Sequence, residues 1–140
     1  MECIAYKSGY KYQLDKEYSV ALDITPKEDI HMDYIEYTTD GVMTIKKGYA
    51  WDGPSGITFD TLNFMRGSLV HDVFYQLMRN NKLEREQYKE PADRLLQSMC
   101  KEDGMSSFRA WYVYKAVAIF GHDSTNGDNV KIIHKAPKGC

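Results

Sequence analysis

An α+β domain is expected from three observations: a strand-patterned first fifty residues, three later segments with helical spacing, and a Gly- and Pro-rich stretch between them. N-terminal antiparallel strands, including a hairpin, should pack against three C-terminal helices. At 140 residues the chain has room for one core and buries roughly 68% of its extended surface on folding, so it needs no metal or staple.

The strands come first. Ile4 to Tyr12 and Tyr18 to Ile24 are rich in Tyr, Val and Ile with polar residues interleaved, which suits a half-buried sheet. Pro26 to Asp29 breaks the run. Met32 to Thr38 and Val42 to Tyr49 flank Thr39-Asp40-Gly41, and Asp-Gly between alternating segments predicts a hairpin. From Gly48 to Gly56, three glycines and Pro54 predict an irregular loop.

The helices follow. Phe64, Leu69, Val70, Val73, Phe74 and Leu77 recur in threes and fours and predict a helix over Leu62 to Arg79, ended by Asn80-Asn81. Glu90-Pro91-Ala92-Asp93-Arg94 reads as a second helix with Pro91 in its first turn, stopped by Gly104. Ser106 or Ser107 should cap a third helix running through Trp111, Val113, Val117 and Phe120 to Gly121. Residues 1–121 then form the domain. Residues 122–140 read as a polar, loosely held tail with one short strand around Val130 to Ile133.

Composition narrows the function. Eighteen basic against twenty acidic residues give a net charge of −2, which removes the basic field of a nucleic-acid binder. No nucleic acid is expected as a partner. Three cysteines, two of them near the ends, argue against a disulfide framework and suit free thiols in a reducing cytosol. The N-terminus lacks the apolar stretch of a signal peptide, and no window approaches a transmembrane span. A cytosolic protein is expected, although a delivery machine could carry it elsewhere. Aromatics reach 13%, so rings must carry much of the packing, with Phe74, Tyr75, Trp111, Tyr112 and Tyr114 holding the helices together.

Chemistry concentrates in Trp51-Asp52-Gly53-Pro54-Ser55-Gly56, His71-Asp72-Val73-Phe74-Tyr75, and Ala92-Asp93. On a helix His71 and Tyr75 share a face, while Asp72 lies about 100° round the axis and serves a different target. His71 can act as a general base if its other ring nitrogen is held by an acceptor, and Asp93 on a neighbouring helix is placed to hold it. Asp72 is then free for a cation whose oxygen shell backbone carbonyls of the loop would complete, as Ca²⁺ prefers.

This ordered trio resembles the secreted and parvoviral-capsid phospholipases A2, the parvoviral pattern more closely, over about residues 49 to 97. The resemblance implies that Trp51, Gly53 and Ser55 supply carbonyls to Ca²⁺ and that Asp72 is its carboxylate. It implies His71 as the base that activates water, Asp93 as its orienting partner and Tyr75 as a supporting hydroxyl, acting on a lipid or ester substrate. Ser55 stands where that pattern has glycine, and Asp52 adds a carboxylate that would join the metal site. No cationic, aromatic-flanked surface for docking on bilayers is evident from the sequence.

The chain is also similar to an uncharacterised family of small proteins common in bacteriophage and prophage genomes, a domain of unknown function. The matching features are the loop Tyr49 to Gly56, His71 to Tyr75, Ala92 to Leu96 and Ile119-Phe120-Gly121. That similarity implies phage origin and leaves a non-catalytic alternative: a virion component, or an inhibitor binding a host or defence protein.

Other patterns carry less. His31 with His71-Asp72 would suit a metal phosphohydrolase only on a helix, and Asp29 to Tyr37 looks like a loop entering a strand. Ser55 lacks a nucleophile elbow. Cys100 reads as a small core residue, His122-Asp123 as a dipeptide in a polar stretch, and Lys131, Lys135 and Lys138 as a solvated end. For hydrolysis, His71 and Asp93 must hydrogen-bond and face an open cleft.

Overall fold

A computed structural model describes residues 3–6, 12–52, 61–121, 125 and 134–139. The strands are β1 (Ile4–Tyr6), β2 (Tyr12–Gln13), β3 (Tyr18–Ala21), β4 (Ile30–His31), β5 (Ile35–Tyr37), β6 (Val42–Ile45), β7 (Ala50–Trp51) and β8 (His134–Ala136). Three helices, α1 (Leu62–Arg79), α2 (Arg85–Glu102) and α3 (Ser107–Phe120), lie between β7 and β8. The fold is α+β, with antiparallel strands preceding three helices.

Four strands pair in the order β3-β6-β5-β4, all antiparallel, while β2 pairs β7 and β1 pairs β8. The expected hairpin is β5-β6, with Tyr37 opposite Met43. Its turn is not the two-residue kind that Asp-Gly suggests. Gly41 N–H bonds Thr38 O at 2.9 Å and Gly41 carries φ +88°, whereas Asp40 stays at negative φ, so three residues close the loop. The Asp40 carboxylate accepts from the Thr38 hydroxyl and from Val42 N–H. A Cβ on Gly41 would lie 2.3 Å from Leu22 O, so the position needs glycine on two counts.

Isoleucines and aromatics from β4 to β7 meet one side of α1. Ile35, Tyr37, Met43 and Ile45 are buried against Val70, Val73, Phe74 and Leu77, with Tyr37 and Phe74 edge to face at 5.6 Å. Polar ties fix the same contact: Trp51 Nε1 donates to Ser68 Oγ at 3.2 Å and Tyr49 OH to Gln76 Oε1 at 3.0 Å. The irregular loop therefore begins later than Gly48, because Ala50 and Trp51 pair with Gln13 and Tyr12 as β7.

A second cluster, Phe64, Leu96, Cys100, Met105, Ala110, Val113 and Val117, joins the three helices. Gly67 brings α1 close to α2, since a Cβ there would sit 3.1 Å from Leu96 Cδ1 and 3.3 Å from Cys100 Sγ. At the far end of α2, Arg66 grips the Asp103 carboxylate with two nitrogens and also reaches Glu102 and Tyr18.

Four expectations need correction. Pro91 is not in the first turn of its helix, because Arg85 to Glu90 already form α2 ahead of it. Those six residues are mostly good helix formers, and Tyr88 anchors them by burial and by donating to Thr25 O at 2.9 Å. The tail is tied, since residues 134–136 pair with β1; the strand expected around Val130 to Ile133 lies outside the described residues. Cys3 is disulfide-bonded while Cys100 is a free, buried thiol, so the thiols no longer argue for a reducing compartment. Finally, Trp111 and Tyr112 do not hold the helices together: they point outward with Phe108 and Ile119. Among the described residues no helix is long and apolar enough to cross a membrane.

Candidate functional site

The periodicity that buries Val70, Val73, Phe74 and Leu77 also turns His71 and Tyr75 toward α2. There they meet Asp93, which lies in the middle of α2 and not at its N-terminus, so a helix-dipole role does not explain it. His71 Nε2 lies 2.7 Å from Asp93 Oδ1, and Tyr75 OH donates to the same oxygen at 2.6 Å. The rings of His71 and Tyr75 lie 4.0 Å apart, tilted by 42°. Both His71 and Asp93 are 1% exposed.

One contributor was not read from the sequence. Lys89, four residues before Asp93 on the same helix face, places Nζ 2.8 Å from Asp93 Oδ2 and donates to Val117 O and Ala118 O at 3.2 and 3.3 Å. The Lys-Asp spacing is an ordinary i, i+4 pair, and that spacing was the available signal. Lys89 thus joins the buried carboxylate to the last turn of α3. Gly121 completes the enclosure by packing against Tyr75.

Charge and hydrogen bonding determine the protonation pattern. Burial pushes the Asp93 carboxyl up, but bonds from His71, Lys89 and Tyr75 together outweigh it and hold the group below the usual carboxylate range. Burial first, and then the Asp93 charge, push the Tyr75 phenol up, so it stays protonated and donates. Ionised Asp93 only accepts, so His71 must present Nε2–H to it. Lys89 also pairs with that carboxylate. The other ring nitrogen of His71 is Nδ1. That Nδ1 is buried and has no hydrogen-bond partner among the described residues.

Asp72 points elsewhere, as its place on the helix predicts. Its Oδ2 accepts from the backbone N–H of Asp52 at 3.3 Å, so the start of the loop does meet α1 beside His71. Trp51 sits above α1 with its ring buried, stacked near Tyr49 and Tyr12. Gly53 and Ser55 lie outside the described residues, as do His122 and Asp123. Two open surface depressions, of about 570 and 530 Å³, are lined by Met78 with residues 81–86 and by residues 26–31, among others, and neither includes His71. Of the two requirements for hydrolysis, the hydrogen bond is present and the open cleft is not seen among the described residues.

The pattern of a protein family described as protein of unknown function (DUF1353) matches residues 29–117, well over half of the chain. The chain belongs to the DUF1353 family. No curated protein and no solved structure matches it. The DUF1353 region begins just before β4, so it spans the hairpin, β7, α1, α2 and most of α3. It contains Asp52, His71, Asp72, Tyr75, Lys89, Asp93 and Val117, and it leaves out β1 to β3, Gly121 and β8.

Within this DUF1353 chain the described residues do not complete a cation shell. Ca²⁺ takes six to eight oxygens, and among the described residues the acidic groups at the start of the loop are Asp52 and Asp72. Among the described residues no group of three or more His, Cys, Asp or Glu side chains is arranged to hold a metal.

Proposed function

We propose that this chain is a small phage-encoded hydrolase in which His71 Nδ1 is the base that activates water against an ester, in the manner of a phospholipase A2. The observation that carries this is the bare Nδ1 on a histidine whose Nε2 is held by a carboxylate. A buried polar atom without a partner calls for a ligand or a catalytic use. In the reaction, Nδ1 takes a proton from water as the hydroxide adds to the ester carbonyl. The tetrahedral intermediate then expels the alcohol, which receives that proton from His71. Asp93 holds the ring and offsets the transient imidazolium, while Tyr75 and Lys89 hold Asp93. No step here depends on a metal.

The burial of His71 sets a condition: whatever covers Nδ1 must move when substrate and water enter. That same burial favours a second function, a non-catalytic phage protein in which the network ties three helices together. An ester panel of phospholipids and short-chain acyl esters separates the two. Turnover that falls at least about a hundredfold in His71→Ala and Asp93→Asn, in folded protein, supports hydrolysis. Absence of turnover, or turnover that in both variants stays at the wild-type level, overturns it and leaves the structural role. Calcium at Asp72 is tested separately. A rise in melting temperature with Ca²⁺ that Asp72→Asn abolishes supports a cation there, and an unchanged melt counts against it.

A further inference from the structure

The outer face of α3 is the unexplained surface of this molecule. Phe108, Trp111, Tyr112 and Ile119 are 74, 48, 51 and 65% exposed, although large apolar side chains on a packed helix normally face the core. With Lys115 they fall within an arc of about 100° on the helix, forming one stripe about 17 Å long. Lys115 lies in the middle of that stripe, with Nζ 5.9 Å from the Trp111 ring centroid. Phe108 and Trp111 rings lie side by side at 6.2 Å. The helix carries Arg109 and Lys115 and no acidic residue.

Those features select the occupant. A second copy docked about a two-fold axis would bring Lys115 against its own equivalent inside an apolar contact, which is costly. The stripe also offers only five residues, against roughly 20–30 residues a side in a stable protein interface. A nucleic acid needs several cations along its backbone, and the stripe holds one, Lys115. An anionic bilayer meets every requirement. Trp and Tyr rings settle at headgroup level, Phe and Ile enter the acyl boundary, and Lys reaches past them to a lipid phosphate.

We infer that α3 docks the protein on the surface of an anionic phospholipid bilayer through Phe108, Trp111, Tyr112 and Ile119, with Lys115 as the headgroup contact. This surface is not evident from the sequence, where Trp111 and Tyr112 read as packing between helices. The inference does not rest on the chemistry at His71.

Flotation of the full chain with phosphatidylcholine vesicles, with and without phosphatidylglycerol, tests it. Binding should require the anionic lipid and weaken with salt. Lys115→Glu should weaken it on the order of tenfold, and Phe108→Ser with Trp111→Ser should abolish it. All three positions are exposed, and circular dichroism checks that each variant keeps its helices; if the double variant unfolds, Lys115→Glu alone decides. His71→Ala should float like wild type. Failure to float, flotation unaffected by Lys115→Glu, or a dimer in sedimentation that the double variant dissolves would each overturn the inference.

Discussion

Gly121 and the Tyr75 hydroxyl are packed so closely that a Cβ on residue 121 would lie 2.4 Å from the phenolic oxygen and 2.9 Å from Cε2. Gly121 has φ −80°, so the glycine is required there by proximity and not by backbone conformation. Gly121→Ala should destabilise the protein by about 1–3 kcal/mol in urea unfolding, the cost of overpacking. Combined with Tyr75→Phe, which removes the nearest atom, the loss should be less than the sum of the two single losses. Strict additivity would show that the contact is not the cause.

The Lys89 ammonium should hold the buried Asp93 carboxylate between α2 and α3. Lys89→Met removes that cation and its bonds to the Val117 and Ala118 carbonyls. In urea unfolding the variant should cost about 3 kcal/mol, the low end for breaking a buried pair because Lys89 keeps some contact with water. A loss below about 1 kcal/mol, the range of an exposed pair, would remove Lys89 from this role.

Acid stability should depend on Asp93. Its carboxyl binds a proton more weakly when folded than when unfolded, so its stabilisation is complete above the ordinary value of 3.8 and is lost as pH falls through the lower folded value. Melting temperatures of wild type should therefore drop over that acid window, and Asp93→Asn, already less stable, should show a shallower drop. Parallel curves would place the acid sensitivity elsewhere.

Cys100 should be inert. Burial, followed by the charge of Asp103, pushes its thiol up to about 12, with Arg66 opposing. Alkylation at pH 8, followed by peptide mass spectrometry, should modify Cys100 only once the chain is unfolded. Rapid labelling in the native protein would contradict its burial under Gly67 and Leu96.

Much of this architecture was readable because local signals and tertiary demands agree. The apolar rhythm of α1 marks the observed helix, and Ser106 caps α3 by accepting from Arg109 N–H at 3.3 Å. Asp-Gly marked the hairpin but not its turn, because Thr38 and Asp40 close a three-residue loop with their own side chains. Where local and tertiary signals diverge, the sequence misleads. Pro91 looks like a start signal, yet Tyr88 and Lys89 are anchored to Thr25, Asp93 and the end of α3, and these contacts carry α2 across the proline. The pairing of His71 with Asp93 was legible from motif order. The attachment of Lys89 to α3 was not, because it rests on backbone carbonyls that no side-chain pattern encodes.

The meeting of all three helices at one carboxylate has a consequence for how the chain opens. α1 supplies His71 and Tyr75, α2 supplies Asp93 and Lys89, and α3 supplies the carbonyls that Lys89 also holds. Peeling any one helix away would leave a charge or a carbonyl unpaired in an apolar interior, a penalty that partial unfolding must meet in full. Amide protons in the central turns of α1, in α2 around Asp93 and in the last turns of α3 should therefore exchange with solvent at a common rate, as one cooperative unit.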